Sequence, residues 1–245
     1  MKAMLLAAGK GTRLQPLTNT KPKALIEVDG QPLLQIIIKR LIHFGFKDIV
    51  INVHHFAEQI YEFLDDNKNF GVNITISDEQ DLLLDTGGGL LKAKSLLLDG
   101  SPILVHNVDI ITNLNLKDLY DFHCQSKAIA TMAVKDRNTS RSLLINKEGD
   151  LCGWRNNVTG ELKHARGNIN ELTPIAFSAV HVMSPEIFEH ITETGVFSIM
   201  DVYLRLAKTH KIATFNHNSD YWLDLGRIEN IEEAANFLKL NRNDK

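Results

Sequence analysis

The sequence predicts an α/β fold around a mainly parallel mixed sheet, and three observations carry that prediction. Strand-like and helix-like segments alternate through the first half of the chain, the pattern of right-handed β-α-β units. Four chemically suggestive segments each follow directly on a strand, where ligands bind in open α/β sheets. At 245 residues the chain is long enough for one large core, and no repeat, linker or low-complexity tract divides it, so 1–245 reads as a single domain.

The elements follow in order. Residues 2–7 read as a strand, 32–44 (PLLQIIIKRLIHF) as a helix stopped by Gly45, and 48–53 as a strand. A helix over 56–65, a strand at 73–77, a helix over 88–97 and a strand at 102–106 come next, then helix 116–125 and strand 128–134. Beyond residue 135 the pattern changes. Short β-prone pieces at 142–146 and 151–154, separated by KEGD and NVTGE turn signals, precede a long strand at 174–183 and two helical stretches. Strands at 212–216 and 221–225 and a helix over 228–240 complete the series, and NRNDK reads as a frayed tail.

Composition excludes several classes. The chain carries 27 Lys and Arg against 30 Asp and Glu, a net charge of −3, so it lacks the basic excess that binding a nucleic-acid backbone requires. No apolar run nears membrane-spanning length, and Met4–Ala8 is too short for a signal peptide. Cys124 and Cys152 have no metal-ligand spacing and read as two reduced thiols, so the protein is expected in the cytoplasm, with neither nucleic acid nor membrane as partner. His54 and His55 are strand neighbours pointing to opposite faces and are poorly placed to ligate one metal. G-x-S-x-G and H-E-x-x-H elements are absent.

The first loop carries the most chemistry. MLLAA runs straight into GKGTRLQPLTNTKPKAL, where Gly9 and Gly11 let backbone N–H groups approach phosphate oxygens. Arg13 offers a planar fork of donors and Lys23 a compact charge, both expected to serve a ligand rather than the core. Neither G-x-x-x-x-G-K-[ST] nor G-x-G-x-x-G is present. The segment LLLDTGGGLLKAKSLL places three glycines at the opening of a helix, either as a close-approach surface for a flat ligand or as a flexible turn. PILVHNVDI is a buried strand ending in Asp109, a carboxylate that must accept local hydrogen bonds or bind a cation. DYWLDLGRIENI repeats the order strand, acidic residue, glycine, helix, with Asp224 as a cation ligand or a helix cap.

LLAAGKGTRLQPLTNTKPKAL resembles the signature loop of the sugar-1-phosphate nucleotidyltransferases, L-A-A-G-x-G-[TS]-R-L-x-P-L-T-x-x-x-P-K-x-L, at every fixed position. The likeness covers nearly the whole chain, strongly at 3–25, 85–91 and 221–226 and weakly over 135–180. It points to the compact branch with muramate-1-phosphate uridylyltransferases and mannose-1-phosphate guanylyltransferase-like proteins.

The resemblance implies a three-layer α/β/α Rossmann-like nucleotidyltransferase fold and transfer of a nucleoside monophosphate from a nucleoside triphosphate to a sugar 1-phosphate. It implies catalytic roles for Arg13 and Lys23, and nucleotide contacts from Ala8, Gly9, Gly11, Thr12, Arg13, Thr86, Gly87 and Asn107. Asp109 and Asp224 would hold Mg2+. By alignment alone, Arg141, Ser142, Arg155, Asn156 and Ala179 fall in the sugar-contact regions. Val108 stands where the family has glycine in N-G-D and is expected to narrow the adjacent pocket. Two alternatives share these residues: a regulatory nucleotide-sugar-binding protein on the same fold, and an enzyme acting on an alcohol phosphate such as phosphocholine.

Overall fold

The computed structural model describes residues 1–240; the NRNDK tail lies outside them. At the centre is a strand built from Lys2–Leu6 (β1), with two parallel neighbours, Asp48–Val53 (β4) and Ile103–Asn107 (β6). Asn73–Asp78 (β5) extends the parallel set beyond β4. A small hairpin, Glu27–Val28 (β2) with Gln31–Pro32 (β3), closes the long first loop before helix Leu33–His43 (α1). The chain steps from β1 outward to β4 and β5, then returns to place β6 on the other side of β1. The crevice between β1 and β6 is therefore a topological switch point, the usual ligand position in an open α/β sheet.

Side-chain alternation along the central strands creates two cores. Ala3 and Leu5 face one way and pack with Ile49, Ile51 and α1, with helix Ala57–Asp66 (α2), and with helix Leu116–Ser126 (α5). The final helix, Glu229–Leu240 (α8), joins that layer through Ala234. Met4 faces the other way with Val50, Ile103 and Val105, against helices Asp85–Lys92 (α3), Lys94–Leu97 (α4), Ile187–His190 (α6) and Ile199–Leu206 (α7). Strands buried on both faces explain why β1 and β4 read as continuous apolar runs. The result is the expected helix, sheet, helix sandwich.

Apart from the β2–β3 hairpin, every antiparallel pair involves a strand of the second half. Thr173–Met183 (β12) runs antiparallel to β6 and to Ala130–Lys135 (β8), which Ile212–Asn216 (β13) extends in parallel. The start of β12 pairs with Arg141–Ile145 (β9), followed by Leu151–Asn156 (β10) and Leu162–His164 (β11). Beside β6, the short strand Ile110–Thr112 (β7) pairs antiparallel with Trp222–Asp224 (β14). Here β14 answers to the strand expected at 221–225, whereas β7, β2, β3 and β11 have no counterpart among the expected elements. The predicted helix over 88–97 starts earlier, at Asp85, and breaks at Ala93 into α3 and α4. No helix among the described residues is long and apolar enough to cross a membrane.

Candidate active site

The carboxyl ends of β1, β4, β5 and β6 open into a cleft of about 500 Å³. The first loop supplies its floor. Gly11 adopts φ 63°, and a β-carbon there would strike Thr18 and the Lys23 stem, whereas around Gly9 there is open space. One glycine is required by tight packing of the loop on itself, the other leaves backbone exposed to a ligand. The loop is tethered at both ends: Ala7 N–H donates to Asn52 Oδ1 at 2.7 Å, and Thr18 Oγ1 donates to the Gly11 carbonyl at 2.9 Å. Ala8, Gly9, Gly11, Thr12, Arg13 and Lys23 all line the cleft, with Asn107, Asp109 and Thr86.

The charged centre comes from residues far apart in sequence. Lys23 Nζ donates to Asp109 Oδ2, and Lys23 is only 7% exposed, so this cation is a paired, packed group as well as a ligand contact. The β7–β14 ladder brings Asp224 alongside, with Leu225 N–H donating to the Asp109 carbonyl at 2.8 Å. Arg13 reaches from the first loop to the last strand: a β-carbon on Gly226 would meet both its guanidinium and Asp224 Oδ1. Burial, and secondarily the negative charge of Asp109, push the Asp224 carboxyl above the usual carboxylate range, while Lys23 and Arg13 oppose the shift. Asp224 Oδ1 is buried without a hydrogen-bond partner.

These features fit a hard divalent cation. Two neighbouring carboxylates, one with an orphaned oxygen, supply the donors it prefers. Among the described residues no cluster of three His, Cys, Asp or Glu side chains forms a fuller protein cage. Such a pair suits an ion whose remaining positions go to water and phosphate oxygens, as Mg2+ requires.

The opposite wall is α3 and the loop before α7. Each glycine of the triplet answers to a different neighbour: a β-carbon at Gly87 would strike Phe197, at Gly88 the Gly195 carbonyl, and at Gly89 the Glu79 carboxylate. Gly87 and Gly88 amides donate to the Phe197 carbonyl at 2.9 and 3.2 Å. Gly87, expected at the base, is buried against the Phe197 loop and is not among the residues that line the cleft. Thr86 does line the cleft, with its Oγ1 accepting from Ile199 N–H at 3.0 Å. The 191–198 loop is braced by Arg205, which donates to both oxygens of Glu193 and holds its carboxyl down to about 2.

Sequence reasoning missed Asn52 and Glu79. Glu79 is fully buried, accepts from Asn52 Nδ2 at 2.7 Å and from Leu84 N–H at 3.1 Å, and so links the first loop to the α3 wall. The available signal was a lone asparagine in the apolar run DIVINV. Val108, as expected, is on the cleft wall; it is 3% exposed and belongs to the core.

The five residues expected at the sugar do not line the cleft. Arg141 and Ser142 pair across the β9–β10 ladder with Asn156 and Arg155. Their polar atoms serve that hairpin: Asn157 Nδ2 donates to Ser142 Oγ, Arg155 Nε donates to Asn157 Oδ1, and Asn156 Oδ1 accepts two turn amides. Ala179 lies on β12 at a bulge, with φ 56°. The residues that alignment assigned to the sugar therefore lie outside this cleft. His54 Nδ1 contacts the Glu79 carbonyl at 2.7 Å, and both cysteines are free thiols.

Residues 2–143 match the nucleotidyl transferase family. The N-acetylmuramate α-1-phosphate uridylyltransferase of Neisseria meningitidis serogroup B is 33% identical over 240 residues, 96% of each chain. The mannose-1-phosphate guanyltransferase of Yarrowia lipolytica is 30% identical over 230 residues, 93% of this chain and 61% of that protein. A solved UDP-glucose pyrophosphorylase in complex with UDP-glucose superposes with a TM-score of 0.77, at 19% identity and covering 98% of this chain and 99% of that one. The chain belongs to the nucleotidyl transferase family. Within it, the chain is a sugar-1-phosphate nucleotidyltransferase.

Proposed function

We propose that the cleft joins uridine triphosphate to the 1-phosphate of an N-acetylated amino sugar of the muramate type, releasing pyrophosphate. The observation that carries the reaction is the meeting of Arg13, Lys23, Asp109 and Asp224 at the β1–β6 switch point. The choice of uridylyl over guanylyl rests on the N. meningitidis relative, matched along 96% of its length against 61% for the guanylyl relative.

An anionic oxygen of the sugar phosphate forms the new bond to the α-phosphorus while the bond to the pyrophosphate oxygen breaks and its electron pair leaves with pyrophosphate. No protein nucleophile is needed, so catalysis consists of positioning and charge stabilisation. Gly9 and Gly11 offer backbone to the phosphates, Arg13 covers the leaving group, and Lys23 exchanges Asp109 for the phosphates at the reacting centre. Thr86 and Asn107 flank the nucleoside. Asp109 and Asp224 would hold Mg2+, which supplies charge neutralisation at the phosphate oxygens. The reaction is assigned to the cytoplasm, where two unpaired thiols persist.

The test is pyrophosphate release from each nucleoside triphosphate paired with N-acetylmuramate, glucose and mannose 1-phosphates, with and without magnesium. Preferred turnover of uridine triphosphate with the muramate compound is expected. Preference for guanosine triphosphate and mannose 1-phosphate would reassign the substrates, and silence with every pair from a folded protein would favour a regulatory role.

A further inference from the structure

Arg137, in the turn between β8 and β9, has no part in the site described so far, yet its surroundings are built to hold it. Between Phe177 and His181, β12 advances four residues while β8 advances two, and Ala179 in the left-handed region completes this bulge. The bulge frees two consecutive carbonyls. Phe177 O accepts from Arg137 Nη2 at 2.7 Å, and Ser178 O accepts from Trp222 Nε1 at 2.9 Å. The guanidinium carbon then lies 3.7 Å from the centre of the Trp222 ring. Ser178 itself is pinned from behind, its Oγ 2.7 Å from His217 Nε2, and both are too buried to act on a substrate.

Trp222 and Asp224 are two apart on β14 and so project to one face of the strand. A guanidinium stacked on the first therefore lies on the same side of the strand as the second; burial, the larger effect, lowers the Arg137 pKa, and the Asp224 charge opposes that shift. Arg137 thus faces Asp224 from the β8–β12 side, outside the cleft that Arg13 and Lys23 line. Its Nε is buried without a partner, so the fork is only partly used within the protein. Holding a planar cation by one carbonyl and one ring face leaves its remaining edge for an anion.

We propose that Arg137 binds the phosphate group of the acceptor, a phosphate monoester dianion, on the side of Asp224 away from the nucleotide loop. This rests on the reaction proposed above, in which the donor phosphates already have Arg13, Lys23 and the Gly9–Gly11 backbone. Acceptor and donor phosphates would then approach the two carboxylates from different sides, as in-line displacement requires.

Steady-state kinetics of the parent, Arg137→Gln and Arg137→Lys test it. Loss of charge-assisted hydrogen bonds should raise KM for the sugar 1-phosphate about 10- to 100-fold, leave KM for the nucleotide at its parental value, and be partly relieved in Arg137→Lys. Equal KM for the sugar phosphate in all three proteins, or a parallel rise in both KM values, would overturn the assignment; the latter is the pattern of a merely structural arginine. Should Arg137→Gln fail to fold, Arg137→Lys carries the same comparison. A binding arm separates this inference from the reaction. In a Trp154→Phe background, glucose 1-phosphate alone should quench the fluorescence of Trp222, and Arg137→Lys should weaken the affinity. Parental quenching without turnover of any substrate pair would count against the reaction alone, whereas neither quenching nor turnover would sink both.

Discussion

The loops after β1, β4, β5 and β6 turn their polar groups into the cleft, whereas Ser142, Arg155 and Asn156 of β9 and β10 bond the turn that follows β10. The two regions differ in strand direction. Parallel strands deliver all their carboxyl ends to one edge, so residues placed just after them converge on a common point. An antiparallel hairpin spends its side chains on cross-strand pairs and its own turn, and reaches a ligand only where the ladder is broken, as at the β12 bulge. Motifs in the first region can therefore be read as a site, and similar-looking residues in the second cannot.

The contrast is tested most severely at the charged centre. Arg13→Gln and Lys23→Met should each reduce turnover by about 10²–10³, the usual effect of removing a charge contact from the transition state. Lys23→Met should also lower Tm, contrary to the expectation of a cation present only for its ligand, because it leaves Asp109 and Asp224 facing one another. The double variant Lys23→Met/Asp109→Asn should recover Tm without recovering activity. Parental turnover in either single variant would take the first loop out of the reaction.

Asp224→Asn should abolish most turnover yet melt above the parent in EDTA at neutral pH. The sign follows from its raised folded pKa: the proton is held more tightly in the folded state, so stability declines as pH rises and Asp224 ionises. The Tm gain should be small below about pH 4, where an ordinary aspartate is itself protonated, and grow toward neutrality. A gain independent of pH would mean that charge is not its cause.

Within the nucleotide region, Gly89→Ala should cost roughly 1–3 kcal/mol, since the added methyl meets Glu79 and disturbs a buried carboxylate with its amide partners. Gly9→Ala, with open space around it, should leave Tm unchanged and raise KM for the nucleotide. Equal melting temperatures for the two would remove the distinction between packing and ligand glycines. The smallest effects are expected in the hairpin: Arg141→Ala and Arg155→Ala should change stability by no more than about 0.5 kcal/mol and leave turnover near the parent. A hundredfold loss in either would bring β9 and β10 back into the acceptor site.

What the sequence determined by itself was local: strand and helix positions in the first half, the polyphosphate loop from Gly9 to Lys23, and acidic residues at the ends of two strands. Each is encoded within a short segment by periodicity, a missing side chain or an ill-placed charge. Tertiary structure decided everything that depends on what faces a residue across the fold. It paired β7 with β14 so that Asp109 meets Asp224, gave the three glycines of α3 three different neighbours, and buried Glu79 against Asn52. It also removed Arg141, Ser142, Arg155 and Asn156 from the cleft and set Arg137 on Trp222 beside Asp224. These contacts join residues tens to more than a hundred positions apart, and their energies come from burial and charge shared between segments, which the local pattern of one segment does not contain.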